Sequence, residues 1–261
     1  MVGKIAPNVK ALAMLGIRKY KSSNKKQMIV ESTKAQIKNG SPNIANAVLG
    51  AGFRVLVGCE ESQEVTKAFR DLGIEAYSCD LQECSGGHPE WHLKMSVFDA
   101  IELIKPKLGI FHPPCTFMSR AGARWMYPKA GEICPKRLEL AMEAKEFFMN
   151  CLNADIPFIA VENPLPLKVV ELPKETQVIQ PYEYGHEYSK RTHLWLKGLP
   201  KLKPTDIKTE YKPYLPSNTG GAKRGQKATP KSITQKESSK TFEGVAKAMA
   251  AQWLNAVAAC L

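Results

Sequence analysis

Three short segments hold residue types that do chemistry, and each follows or precedes an apolar run. In Pro113-Pro114-Cys115 two prolines fix the backbone and supply no amide hydrogens. A cysteine placed directly after them is held rigidly. It is a candidate nucleophile, because a thiolate adds readily to electron-poor carbon. The segment is equally a turn carrying a structural thiol. In Glu162-Asn163-Pro164 a carboxylate follows the apolar run PFIAV. Inside a core it would be costly, but at the end of a strand it can face a cleft. The competing reading is a turn with a helix-capping Asn. In Ser189-Lys190-Arg191-Thr192-His193-Leu194-Trp195 two cations precede an apolar run, and Arg191 offers planar donors to a carbonyl or a phosphate. An edge strand with solvated charges reads the same way.

A thiolate, a carboxylic acid and a cation at three strand ends are together what addition to a pyrimidine ring requires. The thiolate attacks carbon 6. The acid binds and protonates nitrogen 3. The cation, an arginine and here Arg191, holds the ring oxygen. Carbon 5 then becomes electron-rich and takes a methyl group from a sulfonium donor.

The elements that must position these groups alternate. Phe53–Gly58, Ile74–Cys79, Leu108–Phe111, Pro157–Val161 and Thr192–Leu196 read as strands. Ser62–Leu72, Phe98–Ile104, Leu138–Leu152 and Thr241–Val257 read as helices. Alternation predicts an α/β, doubly wound, mostly parallel sheet, with ligands beyond the carboxyl ends of its strands. Residues 1–50 read as a basic N-terminal extension, partly helical or disordered. Residues 51–196 form the core, 197–240 a basic Pro/Gly/Lys-rich loop, and 241–261 a C-terminal helix that completes the core.

In this order and at these positions the chain resembles the cytosine-5 DNA methyltransferases, above all the compact versions common in phages and prophages. The resemblance runs from about Arg54 to Trp253. The family's Pro-Cys motif matches Pro114-Cys115, which implies that Cys115 is the nucleophile. Its Glu-Asn-Val motif is similar to Glu162-Asn163-Pro164, which implies that Glu162 binds the target base. Arg191 falls on the first arginine of its Gln-x-Arg-x-Arg motif. The resemblance further implies a Rossmann-like sheet binding S-adenosylmethionine, with Gly58, Cys59, Glu60 and Pro113 at its methionine end and Asp80 at its ribose. Pro114, Lys190 and His193 would then lie against the substrate and DNA, and Arg120 and Arg124, which follow the nucleophile in SRAGARWM, sit on a loop that could close over the base or be a surface loop with one aromatic anchor. Ser239–Trp253 looks like the family's closing helix. The chain departs from the family at Thr116, Pro164, His193 and Met95-Ser96, and it lacks a long target-recognition region.

Charge supports a polyanionic partner. The net charge is +12. Residues 1–50 hold nine cations against one anion and residues 201–241 ten against three, which leaves a slightly acidic body. Basic arms suit DNA, because neutralising phosphates releases counterions; solvated Lys-rich tails have the same composition. Seven cysteines, no leader segment and no run of ~20 apolar residues predict a reduced, cytoplasmic protein outside the membrane; the resemblance implies a bacterial or phage-infected cell, and a monomer is expected. Cys79, Cys84, His88 and His92 have zinc-binding residue types, but a finger needs a spacer of about 12 residues between its pairs, so no metal is expected. Two alternatives remain open. One is the same chemistry on RNA or a free pyrimidine nucleotide. The other is a degenerate, non-catalytic DNA-binding protein.

Overall fold

The computed structural model describes residues 52–212 and 239–260. The expectations for residues 1–50, and for the loop between 213 and 238, lie outside these residues. Seven strands form one mixed, mostly parallel sheet: β1 (Val55–Gly58), β2 (Ala76–Asp80), β3 (His92–Lys94), β4 (Leu108–Phe111), β5 (Phe158–Asn163), β6 (Gln177–Ile179) and β7 (Thr192–Lys197). Their spatial order is β3-β2-β1-β4-β5-β7-β6. The first five are mutually parallel, whereas β7 runs antiparallel to both β5 and β6. The helices are α1 (Glu64–Asp71), α2 (Val97–Ile104), the single turn α3 (Ala123–Met126), α4 (Pro135–Leu152) and α5 (Glu243–Ala258).

The central strands are apolar along their whole length because helices cover both faces of the sheet. Side chains alternate between two cores. Val55, Val57, Ile110 and Ala160 pack with Val65 and Phe69 of α1 and Val245 and Trp253 of α5. Leu56, Phe111, Ile159 and Val161 pack with Val97 and Ile104 of α2 and Ala141 and Phe148 of α4. Trp253 is fully buried and donates its indole N–H to Pro200 O at 3.1 Å. That bond, with Gln177 paired to the backbone of Leu202 and Gln252 to that of Lys203, fastens residues 200–203 to the sheet and α5. The first part of the expected loop is therefore packed.

The sequence reading places all five longer strands and all four longer helices within a few residues. It starts α1 too early. Cys59 and Gln63 both sit at φ 60, in the left-handed region, so the chain makes a tight turn before the helix begins at Glu64. The reading also misses β3 and β6. Each has three residues, too few to show a period.

Candidate active site

The sheet's strand order changes direction between β1 and β4, the place where open α/β sheets bind ligands. Beyond these two strands and β5 the expected residues converge. The backbone N–H of His112 bonds to Gly58 O at 3.0 Å, extending the β1–β4 ladder by one step. Pro113 and Pro114 then carry the chain to Cys115. The carbonyl of Cys115 accepts from the amides of Met118 at 3.1 Å and Ser119 at 2.9 Å, so the thiol sits at the head of a tight turn. This loop is laced to the one after β5. Arg120 N–H donates to Leu165 O at 2.9 Å, Leu167 N–H to Met118 O at 2.7 Å, and the buried Asn163 Nδ2 to Pro113 O at 2.8 Å. The nucleophile and carboxylate motifs, about fifty residues apart in sequence, are one structural unit.

Glu162 has two neighbours of different kinds. On one side its Oε2 lies 3.2 Å from His112 Nδ1, with both side chains largely buried. On the other it lines a shallow cleft with Lys190, Thr192, Ile179, Pro181, the segment Ser239–Phe242, and Val245 and Met249 of α5. Burial alone would push the Glu162 carboxyl up. The hydrogen bond and charge of His112, helped by Lys190 and His193, outweigh burial and hold it below its ordinary value of 4.5. Cys115 is half-buried. Burial pushes its thiol above the ordinary 9.0, the charge of Glu162 adds to that, and Lys190 opposes it. Burial and the neighbouring carboxylate thus both disfavour the thiolate.

The residues expected at a nucleotide cofactor divide. Asp80 ends β2, half-buried, with Oδ1 accepting from Gln82 N–H at 2.9 Å. Gly58 is needed for packing: a Cβ there would lie 2.4 Å from Val97 Cγ2 and 2.7 Å from Phe111 Cδ1. The carboxylate of Glu60 turns inward and caps α1, accepting from Val65 N–H at 2.6 Å and from Thr66 N–H and Oγ1 at 3.2 and 2.7 Å. Burial nevertheless raises the Glu60 carboxyl above 4.5. Its side chain serves the fold and its N–H donates to Cys79 O at 3.1 Å, which leaves its carbonyl for a ligand. Cys59 follows β1 directly, and Pro113 lies two residues beyond β4.

No protein-family model and no curated protein matches the chain.

The expected substrate residues also divide. Lys190 lines the cleft, whereas Arg191 is exposed. His193 points inward from β7 and is 1% exposed, with Nδ1 3.5 Å from Glu175 Oε1, so it offers no surface to a phosphate. The family motif that places His193 there does not show which way β7 turns it: Thr192, not His193, faces the cleft. Arg120 and Arg124 are exposed on the loop after Cys115, and Arg124 stacks 4.7 Å over Trp125, which is 59% exposed. Pro114 is half-buried beside the thiol. His112 is the site residue that the sequence reading overlooks. Its signal was available: a titratable ring directly after a buried strand and directly before the two prolines.

Proposed function

We propose that the chain is a DNA cytosine-5 methyltransferase acting through a covalent adduct on Cys115, built on a Rossmann-like sheet. The observation that carries this reading is the convergence of Cys115 and Glu162 on two hydrogen-bonded loops at the carboxyl ends of β4 and β5. Addition to a pyrimidine needs a sulfur and an acid on one ring, and the loops that carry these two groups are tied together through Asn163 and Pro113.

S-adenosylmethionine, when bound, supplies an electrophilic methyl carbon. The residues present fit its ribose end best: Asp80 is an acidic group at the end of β2, where sheets of this class hold ribose hydroxyls. The left-handed turn at Cys59 and the backbone of Glu60 and Pro113 would hold the methionine end. Asp80→Ala should weaken cofactor binding by about 10- to 100-fold in calorimetry, since hydrogen bonds to a charged acceptor contribute about 1.5–3 kcal/mol.

Cys115 attacks carbon 6 of the target cytosine. Glu162 holds nitrogen 3 and exchanges a proton with it. Lys190, which shares the cleft with Glu162, is the cation placed to meet the ring oxygen, and the exposed Arg191 is placed for phosphate. A base inside a duplex is out of reach of this recessed pair, so the nucleotide must be flipped out. Arg120 and Arg124 carry positive charge on the loop beyond the nucleophile, where they can hold the backbone while that happens.

Bisulfite sequencing of DNA from cells expressing the wild type or Cys115→Ser tests the proposal. Protected cytosines in a common sequence context should appear with the wild type alone; identical conversion in both would overturn it. Labelled methyl transfer assayed on DNA, RNA and free nucleotides in parallel separates the substrates. Label in RNA and not DNA keeps the chemistry and changes the target.

A further inference from the structure

We infer that His112 is the proton store of the site, holding on Nδ1 the proton that Glu162 passes to the base and setting the charge that Cys115 meets. The identity of the base rests on the methyltransferase reading; the proton pair does not.

The geometry is specific. The ring of His112 leaves β4 with its backbone fixed to Gly58 O, and its Nδ1 lies 3.2 Å from Glu162 Oε2. Its Nε2 is buried and has no hydrogen-bond partner among the described residues. An anionic carboxylate left alone in such a place is expensive, whereas an imidazolium–carboxylate pair carries no net charge. The groups that face the pair come from every neighbouring element. They are Glu60 after β1, Cys115 beyond the prolines, Lys190 ahead of β7, His193 on β7, and Lys240 across the cleft. Burial works against a charged His112, but the hydrogen bond and charge of Glu162, and then the charge of Glu60, outweigh burial and Lys190 and raise the ring above its ordinary 6.5.

In the reaction Cys115, having lost its proton to solvent, forms the Sγ–C6 bond. The C5=C6 π pair moves to C4=C5, and the C4=N3 pair settles on nitrogen 3. Nitrogen 3 takes a proton from Glu162, which takes the Nδ1 proton of His112 and leaves that ring neutral. Carbon 5 then uses the C4=C5 pair to take the methyl carbon, the donor sulfur keeping the pair of the broken bond, and C4=N3 re-forms. The hydrogen on carbon 5 leaves to water as a proton, its pair restores C5=C6, and the C6–S pair returns to Cys115. The nitrogen 3 proton travels back through Glu162 to His112.

Two measurements on the full chain test this without using methyl transfer. The first is NMR titration of the His112 ring. It should titrate above 6.5 in the wild type and lower in Glu162→Gln, where only the charge of Glu60 still opposes burial and Lys190. The second is the rate of iodoacetamide alkylation at Cys115, located by mass spectrometry. His112→Gln should slow it about three- to tenfold at pH 8 by leaving Glu162 an uncompensated anion, and Glu162→Gln should speed it. A merely structural His112 would loosen the site and speed alkylation in both variants. That result, or a wild-type ring titrating at or below 6.5, overturns the inference. If His112→Gln fails to fold, the titration in wild type against Glu162→Gln decides alone. Predicted shifts without methylated nucleic acid would keep the pair and sink the function proposed above. Methylation without the shifts would do the reverse.

Discussion

Asn163 carries no chemistry, yet its amide ties the nucleophile's loop to the carboxylate's strand by a buried bond to Pro113 O. Removing it leaves a buried carbonyl without a donor. Asn163→Ala should therefore cost about 1–3 kcal/mol in urea unfolding and lower turnover by letting the two loops separate. His112 and Glu162 give the site a pH signature. His112 is raised in the folded protein, so its contribution to stability is complete below 6.5 and lost as pH rises through the folded value. Glu162 is lowered, so its contribution is present above 4.5 and lost as pH falls through the folded value. The stability difference between wild type and His112→Gln should thus be largest between 4.5 and 6.5 and shrink on either side, as measured by unfolding across pH. At this scale the sequence was informative where a polar residue follows an apolar strand, as at Cys115 and Glu162. A family motif does not show whether a side chain turns to the cleft or into the fold, as the inward side chains of Glu60 and His193 show.

The closing element α5 depends on a close approach that only glycine permits. A Cβ at Gly244 would lie 1.9 Å from Tyr184 O, and the Gly244 amide donates to His186 Nε2 at 2.9 Å. Gly244→Ala must push α5 away from the segment that leads to Lys190 and open the cleft. It should cost about 1–3 kcal/mol, the usual range for overpacking, and reduce methyl transfer more than Lys247→Ala, whose side chain pairs with Glu243 on the outer surface. Helix and strand periods revealed the longer elements, α5 among them. They said nothing of the reversal of β7 between β5 and β6. The run THLWL has the same apolar pattern in either direction, and only its long-range pairing with Val161 and Val178 fixes its direction.

Across the whole molecule the site lies where the parallel half of the sheet changes direction, with a helical layer on each face and no helix among the described residues long and apolar enough to cross a membrane. Strand–helix alternation made that location legible from sequence, because the chemically distinctive residues cluster after strands. The charge of the chain was equally legible as a total. The central claim is that the sulfur of Cys115 bonds to carbon 6 of a cytosine in DNA. Duplexes carrying 5-fluorocytosine test it directly, since fluorine on carbon 5 cannot leave as a proton and the adduct cannot resolve. Incubated with such DNA and S-adenosylmethionine, the protein should form a covalent complex whose mass-mapped attachment is the peptide containing Cys115. No complex, or attachment at another residue, would contradict the account.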